Sequence, residues 1–394
     1  MKNNLILGIS IISMIFSCAS DDTSDIYITD NSVTNNNNGG VNPSDECSTI
    51  AAAEYTSDIV LEANKCYTIS GPVIMASGSS LIINEGVTIK AAASGADVYI
   101  AISQGAKIFA NGTATNPIVF TSDSPSPSAG DWGGLILLGK APINSVTGNA
   151  TSTSEIASLP FGGTEETDDS GILRYVRVEY SGGAADGQSE NNGFSFYGVG
   201  NGTVLEYIQA FEGKDDGIEF FGGTVNASYV SVVNAQDDSI DWTEGYTGTI
   251  TNAYVKHGVD HDKGIEADGY NTDFSNAAGF YSKPTVTNLT IIGQGSVTGN
   301  EAIRLRAGTQ GIFNNVLIEG FEEGFDLDGD AGDNPTGAGV ISGDLYVSDV
   351  TFIDVTLKMK NDTAETFTEA DFISGEGNGT GTDYATWGAL WTVE

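Results

Sequence analysis

The feature that most constrains the fold of this chain is a six-residue pattern that recurs about every two dozen residues. Each copy has polar residues at positions one, two and five, and an apolar residue at position four. The copies begin at residues 191, 215, 237, 262, 300 and 322, so successive starts are 24, 22, 25, 38 and 22 residues apart. A short, fixed period indicates a solenoid, in which each coil buries its apolar side only when its neighbours stack on it.

Short segments with alternating apolar residues lie between the copies, such as Val204–Ile208 and Val286–Ile291. Alternation between turn residues predicts half-buried strands. We therefore predict an all-β fold, a single-stranded right-handed parallel β-helix with a small N-terminal cap, whose handedness follows the rule for parallel crossovers. A β-propeller is disfavoured, because its blades need about 40 residues each. The 38-residue interval fits one coil with a long loop over Tyr270–Lys283.

The N-terminus predicts an exported protein. Lys2 precedes the apolar run Leu5–Phe16, which is too short to cross a bilayer as a helix and fits the core of a signal peptide over residues 1–17. The run ends in Ile15-Phe16-Ser17-Cys18, which resembles the lipobox of bacterial lipoproteins and implies lipidation of Cys18. The alternative is an ordinary secreted protein.

The residues after Cys18 predict a tether and then a disulfide. Residues 18–46 are rich in Asp, Ser, Thr and Asn and predict a flexible lipidated segment. Cys47 and Cys66 form an even pair in an exported chain, which predicts one disulfide, the alternative being two free thiols. It would tie an N-terminal cap over residues 47–70, with a helix at Ser48–Tyr55, onto the β-helix of residues 71–394.

Several segments resemble an uncharacterised family of β-helical surface lipoproteins of the Bacteroidetes: Ala19–Asp22, Asp131–Asn144, the paired acidic segments and Ala385–Trp391. The resemblance implies an anchor in the cell outer membrane, facing the exterior. It also implies an outer-membrane receptor or transporter as a partner. The segments Thr121–Glu155 and Gly163–Asp169 are expected to form long loops that leave the coils.

The charge balance limits the partners. The chain has 53 acidic and 15 basic residues, a formal net charge of -38. Nucleic acid and anionic membrane surfaces would repel such a chain, so we expect no nucleic-acid partner. The balance favours cations, basic partners or a neutral substrate, although an acidic surface also serves solubility alone.

Stacking would place equivalent residues of successive coils about 4.8 Å apart. Position five lies between two inward apolar positions and should therefore point outward. Clustered carboxylate oxygens suit Ca²⁺, and Lys263 and Arg304 would relieve part of the repulsion. The candidate metal ligands are Asp216, Glu219, Asp238, Asp241, Glu266 and Asp326. The alternatives are a solvated acidic face and a turn role, since Asp accepts backbone hydrogen bonds in tight turns.

A second resemblance concerns polygalacturonase-type glycosidases. The segments Lys214–Gly217, Gln236–Ser239 and Arg304–Arg306, with His257 or His261 between them, follow a similar order. The resemblance implies Asp216, Asp237 and Asp238 as acid and base, with His257 nearby and a basic residue holding a uronate. The motifs Asn-Thr-Asp, Gly-His-Gly and Arg-Ile-Lys of that family are absent.

Two functions follow as hypotheses. The first is a non-catalytic surface lipoprotein that binds a glycan, a divalent cation or an outer-membrane partner. The second is a polysaccharide-degrading glycoside hydrolase. Exposed aromatic residues such as Tyr197, Phe221 and Tyr270 could stack on sugar rings, and the equal alternative is that they are core residues or are covered by loops. His257 and His261 could bind a transition metal or simply be surface loop residues.

Overall fold

The computed structural model describes residues 46–144, 150–184, 191–271, 279–329 and 335–394. Contacts divide the chain into residues 1–45 and residues 46–394. The predicted signal peptide and Cys18 lie outside the described residues, as does the predicted tether up to Asp45. Within the described ranges, no helix is both long and apolar enough to cross a membrane.

Strands dominate the described residues and helices are short. In chain order the strands are β1 (Ser48–Thr49), β2 (Ala53–Tyr55), β3 (Ile59–Leu61), β4 (Cys66–Ile69), β5 (Val73–Met75), β6 (Ser80–Ile83), β7 (Thr88–Ala91), β8 (Gly95–Ile102), β9 (Lys107–Asn111), β10 (Ile118–Ser122), β11 (Trp132–Leu138), β12 (Ser152–Thr153), β13 (Pro160–Phe161), β14 (Gly171–Glu179), β15 (Phe194–Tyr197), β16 (Val204–Phe211), β17 (Ile218–Phe221), β18 (Asn226–Val233), β19 (Ile240–Thr243), β20 (Thr249–Lys256), β21 (Ile265–Asp268), β22 (Thr285–Ile292), β23 (Glu301–Arg306), β24 (Gly311–Leu327), β25 (Leu345–Asn361) and β26 (Ile373–Ser374). The helices are α1 (Thr336–Ser342), α2 (Glu369–Phe372) and α3 (Tyr384–Trp387).

Parallel pairing between successive coils builds three sides of one solenoid. The first side, called sheet A here, pairs β2, β5, β8, β11, β15, β17, β19, β21, β23 and the last residues of β24 and β25. The other two sides, sheets B and C, are built from the remaining parallel strands and merge in the long strands from β14 onward. The prediction of a parallel β-helix is confirmed. Only β12 and β13 pair antiparallel among the named strands.

One left-handed residue per coil makes the bend between sheets B and C. Tyr175, Tyr207 and Tyr229 have φ of 51°, 56° and 58°, and the pairing between strands skips each of them. On the next four coils the same place is taken by Asn252, Asn288, Asn315 and Asp349. Asn and Asp tolerate this backbone region well, whereas Tyr does not. The tyrosines offset the cost by stacking, with ring centroids 4.3 and 4.2 Å apart.

The apolar position four forms a continuous ladder inside the coils. Ile218, Ile240 and Ile265 are parallel neighbours in register, and each is at most 1% exposed. Phe194 and Phe325 occupy the same buried row on other coils. The spacing of the sequence pattern therefore equals one turn of the solenoid.

The start of the solenoid differs in one respect from the prediction. Ser48–Tyr55 is not a helix: β1 pairs with β4 and β2 pairs with β5. These backbone groups complete the edge of the first coils, which a helix would leave unpaired. The predicted disulfide between Cys47 and Cys66 is present and ties β1 to β4.

The expectation of a loop over Thr121–Glu155 is also wrong in its centre. Trp132–Leu138 is β11, a fully buried strand of sheet A between β8 and β15. Gly134 has φ of 104° there, and a side chain on it would lie 2.1 Å from the carbonyl oxygen of Asn192. The Gly-Gly pair that resembles a turn signal thus permits close approach of two coils.

The C-terminal segment runs back across the bend between sheets B and C. Asn315 binds Thr380 and Gly381, and the ring of Tyr384 stacks on Tyr254 with centroids 3.8 Å apart. Trp387 lies edge-on to Tyr229, and Trp391 lies edge-on to Tyr175 and Tyr207. Trp391 is fully buried by these contacts. The segment therefore covers the tyrosine stack.

Candidate functional site

The predicted acidic ladder exists on the outer face of sheet A. In register, the residues at position five are Ser195, Glu219, Asp241, Glu266, Arg304, Asp326 and then Lys360. Of the four acids in this row, Glu266 and Asp326 are buried, at 7 and 4% exposure, and Glu219 and Asp241 are half-buried, so the alternative of a freely solvated acidic face does not describe it. A row of buried charges needs hydrogen bonds, counter-charges or bound cations.

Apolar residues continue this outer face toward the N-terminus. Tyr197 and Phe221 stack with ring centroids 3.9 Å apart, and Phe161 of β13 packs on Tyr197. Ile143 and Ile156 belong to the same buried cluster. Of the two alternatives for Tyr197, Phe221 and Tyr270, the structure shows the covered one, because they are only 3, 4 and 8% exposed. They do not present rings to a sugar.

One group of carboxylates has little compensation. Asp216, Glu219 and Asp241 place oxygens within 4.8 Å of one another. Asn192 donates to Glu219 Oε2 at 2.6 Å, and the backbone N–H of Asp238 donates to Asp216 Oδ1 at 3.0 Å. Asp241 Oδ1 is buried and has no hydrogen-bond partner among the described residues. Three acidic groups thus converge with one oxygen unsatisfied.

The environment of this group favours neutralisation. Burial raises the pKa of Asp216 well above its ordinary value, and the nearby Asp215 raises it further. Burial and Asp241 likewise raise the pKa of Glu219, which the Asn192 hydrogen bond only partly offsets. The pKa of Asp241 is raised by burial and then by Glu266. A proton or a cation is needed to hold these groups together at neutral pH.

The next coils along the ladder carry their own counter-charges. Glu266 lies 3.4 Å from Lys263 Nζ, 3.8 Å from Arg304, and in an ion pair with Arg306. Arg306 also pairs with Asp268 at 2.5 Å. Burial raises the pKa of Asp268 to about 6 although Arg306 lowers it. The two arginines that could have held a uronate are therefore engaged within the protein.

The last group of carboxylates along the row lies beside a lysine. Glu301, Glu323 and Asp326 place oxygens within 4.8 Å of one another. Lys360 Nζ lies 3.6 Å from Glu323 and 3.8 Å from Asp326. Burial raises the pKa of Asp326 to about 6, and Lys360 opposes this. The coil that carries Arg304 and Arg306 thus separates one predicted metal ligand, Asp326, from four others. Those four are Asp216, Glu219, Asp238 and Asp241.

Position two of the pattern is a turn device. Asp216 accepts from the backbone of Asp238, and Asp238 Oδ1 accepts from the backbone N–H of Lys263 at 2.7 Å. Both carboxylates are buried, at 7 and 5% exposure. Position one is buried at Asn191 and Asp215 but more open on the next two coils, where Asp237 is half-buried and the side chain of Asp262 is 41% exposed. Asp237, Asp238 and Asp262 place oxygens within 4.8 Å of one another.

A shallow groove of about 690 Å³ lies beside position one. Its walls come from residues 236, 259–261 and 294–300 of three successive coils, and Gln236, Asp260, His261, Gln294 and Asn300 line it. Gln236 and His261 directly precede Asp237 and Asp262 in the chain. The groove therefore opens next to the two more exposed carboxylates.

His257 is not a surface residue. It is 2% exposed, and its ring centroid lies 4.3 Å from that of His261 and 5.2 Å from that of Phe321. Burial, together with the smaller effect of the nearby His261, lowers the pKa of His257 to about 3. No group of three metal-ligating atoms within the described ranges includes either histidine. A transition-metal site is therefore unsupported by the geometry.

Sequence reasoning missed several members of the site. Asp268, Arg306 and Asp328 lie two residues after position five and form a second outward row beside it. Alternation along a strand was the signal that could have found them. Asp262 was noted only as part of a repeat, although its side chain is among the more exposed carboxylates beside the groove.

The fold and this site define a class: a parallel β-helix with carboxylates clustered on successive coils beside a surface groove. The chain belongs to the family described as the pectate-lyase-like β-helix domain, which matches residues 53–392. No curated protein matches the chain.

Two solved structures are similar to this chain at a low level. They are the catalytic domain of GH87 alpha-1,3-glucanase in complex with nigerose and a variant of it in complex with tetrasaccharides. Each is 11% identical to this chain with a TM-score of 0.34. The match covers 84% of this chain and 64% of theirs, so the chain spans less than two thirds of their length.

Proposed function

We propose that this protein degrades a polysaccharide by glycoside hydrolysis, with Asp237 and Asp262 as the reacting pair. The observation that carries the proposal is that these two carboxylates come from neighbouring coils and lie within 4.8 Å of each other. Their chain neighbours Gln236 and His261 line the groove, which could receive a sugar chain. The pectate-lyase-like family supports a polysaccharide as the substrate.

The separation of the two carboxylates favours one stereochemical course. Retaining glycosidases hold their carboxyl groups about 5–5.5 Å apart, whereas inverting ones leave about 6.5–9.5 Å for a water molecule. A separation of at most 4.8 Å between oxygens is closer to the retaining arrangement. Lys263 Nζ pairs with Asp262 and stabilises its negative charge, so Asp262 is the nucleophile and Asp237 the proton donor.

In this proposal, hydrolysis of the glycosidic bond takes two steps. Asp237 gives its proton to the glycosidic oxygen while the anomeric C–O bond breaks and an oxygen of Asp262 bonds to the anomeric carbon. Asp237 then takes a proton from water, whose oxygen displaces Asp262 and restores both groups. Asp216 and Asp238 are buried turn residues and His257 is buried at a lowered pKa, so in this proposal they support the pair and do not touch substrate.

Release of reducing ends from a panel of neutral and acidic polysaccharides tests the proposal. Asp237→Asn and Asp262→Asn should each lower the rate at least 100-fold while leaving the melting temperature within a few degrees. Asp97→Asn is the matched control, since Asp97 is exposed and far along the chain from the pair. Absence of turnover on the whole panel, or full activity in both variants, would contradict the proposal.

A second candidate function is non-catalytic binding of a divalent cation, with Ca²⁺ as the expected ion. The buried, unpartnered Asp241 Oδ1 between Asp216 and Glu219 specifically favours it. Calcium takes six to eight oxygen ligands, so two or more waters or further oxygens would complete its shell. Titration calorimetry should detect one bound Ca²⁺, and Asp241→Asn should abolish it. Asp326→Asn is the control, because Lys360 already forms an ion pair with Asp326 in that group.

We infer from Ile15-Phe16-Ser17-Cys18 that the protein is lipid-anchored at the exterior of the cell outer membrane. Labelling of growing cells with a palmitate analogue should mark the protein and not its Cys18→Ala variant. A pull-down from solubilised outer membranes should then recover the receptor or transporter partner, and protease treatment of whole cells should remove the protein if it faces outward.

A further inference from the structure

The groove beside Asp237 is uncharged apart from one acid and one histidine. Three amide side chains line it, those of Gln236, Gln294 and Asn300, together with Asp260 and His261. Among the described residues that line the groove there is no lysine or arginine. Amides donate and accept hydrogen bonds at once, which suits the vicinal hydroxyls of a sugar.

Three basic side chains on the coils beside the groove are already engaged in ion pairs. The Lys263 side chain is 9% exposed and pairs with Asp262 and Glu266. Arg304 pairs with Asp328, and Arg306 pairs with Glu266 and Asp268. To bind a uronate, any of these bases would have to leave a buried carboxylate without its partner, which is strongly unfavourable.

The rim of the groove is apolar on both loops that form it. Val259 lines the groove and is 91% exposed. Val297 lies in the facing loop between the lining residues Gln294 and Thr298 and is 95% exposed. Fully exposed aliphatic side chains cost solvation, and they suit the C–H faces of a pyranose ring.

The loop that carries Val297 is held in place. Asp354 Oδ1 accepts from the hydroxyl of Ser296 at 2.6 Å, and Asp354 Oδ2 accepts from its backbone N–H at 3.2 Å. Gln294 donates to the carbonyl oxygen of His257 at 2.6 Å and so joins the two loops. The groove is thus a formed feature whose width is set by hydrogen bonds.

We propose that this groove binds an uncharged glycan and rejects polyuronates, in spite of the pectate-lyase-like fold. The inference rests on the proposed function for its view that the ligand is a polysaccharide. An anionic chain would meet Asp237, Asp260 and Asp262, with no lysine or arginine among the described lining residues of the groove, and would be repelled. A neutral hexose or pentose polymer meets amides below and valines at the rim.

Binding measured separately from turnover tests the inference. The full chain is titrated, in EDTA and again in Ca²⁺, with neutral oligosaccharides from glucans, galactans and xylans and with oligogalacturonate of equal length. At least one neutral oligosaccharide should bind at least 10-fold more tightly than oligogalacturonate in both buffers. Gln236→Ala and Asn300→Ala should each weaken that binding about 10-fold, and the exposed Asn201→Ala should not.

A charge reversal sharpens the test. Asp260 is exposed, so Asp260→Lys should fold normally and gain affinity for oligogalacturonate, whereas the neutral glycan should change little. Neutral glycan bound by Asp237→Asn without any turnover in the native protein would leave this inference standing and end the hydrolase proposal. Tighter binding of oligogalacturonate by the native protein, or no binding of any glycan, would overturn the inference itself.

Discussion

The carboxylate of Asp216 accepts a hydrogen bond of 3.0 Å from the backbone N–H of Asp238, its equivalent on the next coil. Asp238 repeats the relationship with the backbone of Lys263. The side chain that makes each coil acidic therefore also fixes the turn of its neighbour. This explains why Asp recurs on more coils than catalysis or metal binding needs.

The turn role of Asp216 gives a first prediction. Asp216→Ala removes the acceptor and should destabilise the fold by about 1–3 kcal/mol, because the buried N–H of Asp238 loses its partner. Asp216→Asn keeps an acceptor and removes a repelled charge, so it should be as stable as the native chain or more so in EDTA. Urea unfolding of the three proteins measures this. Equal loss in both variants would show that charge, not the acceptor, matters.

The buried acids predict that the cation-free protein is more stable at pH 5 than at pH 7. Asp268 and Asp326 have a pKa of about 6 when folded and an ordinary value near 4 when unfolded. Between these values the folded state binds more protons, so stability falls as the pH rises through this window. The loss is on the order of 1–3 kcal/mol for each group. Thermal melts in EDTA across pH 4.5–7.5 measure it.

The titration of His257 has the opposite effect on stability, so a His257 variant serves as a control for this prediction. Its pKa is about 3 when folded and near 6.5 when unfolded, so acidification below about 6.5 protonates the unfolded state first and costs stability. His257→Phe should therefore increase the gain in stability between pH 7 and pH 5. A melting temperature that falls on acidification in both proteins would contradict the view that the carboxylates dominate.

If the Asp216, Glu219 and Asp241 group binds Ca²⁺, added Ca²⁺ should reverse the pH dependence of the melting temperature. Protons and Ca²⁺ compete for the same oxygens, so added Ca²⁺ should raise the melting temperature more at pH 7 than at pH 5. Asp241→Asn should lose the rise at both values. Asp326→Asn should keep it, because its group contains Lys360. A rise that survives in Asp241→Asn would place the ion elsewhere.

The ion pairs of Arg306 give a further prediction. Arg306→Met leaves the buried Glu266 and Asp268 short of counter-charge and should cost about 3–5 kcal/mol at pH 7. Adding Asp268→Asn in the same chain should recover part of the loss, since one buried charge is then removed. Urea midpoints of the single and double variants measure the coupling. Additive losses would exclude a shared network.

The length of one coil could be predicted from the sequence because a single repeating pattern determines it. Ile218, Ile240 and Ile265 recur at one turn of the solenoid, and the small residue before each marks the turn. The outward direction of Glu219 and Asp241 followed from alternation. This part of the fold depends on local periodicity alone, which a single sequence displays.

Burial of the ladder could not be predicted in the same way. Whether Tyr197 or Phe221 is covered depends on a loop that crosses the outer face, and no period records such a crossing. The pairing of Arg306 with Asp268 arises between a coil and its neighbour across 38 residues of sequence. β11 was hidden because its glycines serve close packing of coils while resembling turn residues.

The C-terminal segment supplies the last prediction. Trp391 is fully buried, lies edge-on to Tyr175 and Tyr207, and receives a hydrogen bond on its carbonyl from Arg177 at 2.7 Å. Trp391→Ala should cost about 3–5 kcal/mol, because it empties a large buried volume over tyrosines already held in a left-handed backbone. The neighbouring Leu390→Ala is the control: its side chain is 79% exposed, and the change should stay within about 0.5 kcal/mol. Urea unfolding followed by tyrosine fluorescence measures both, and equal midpoints for the two variants would mean that the segment does not stabilise the stack it covers.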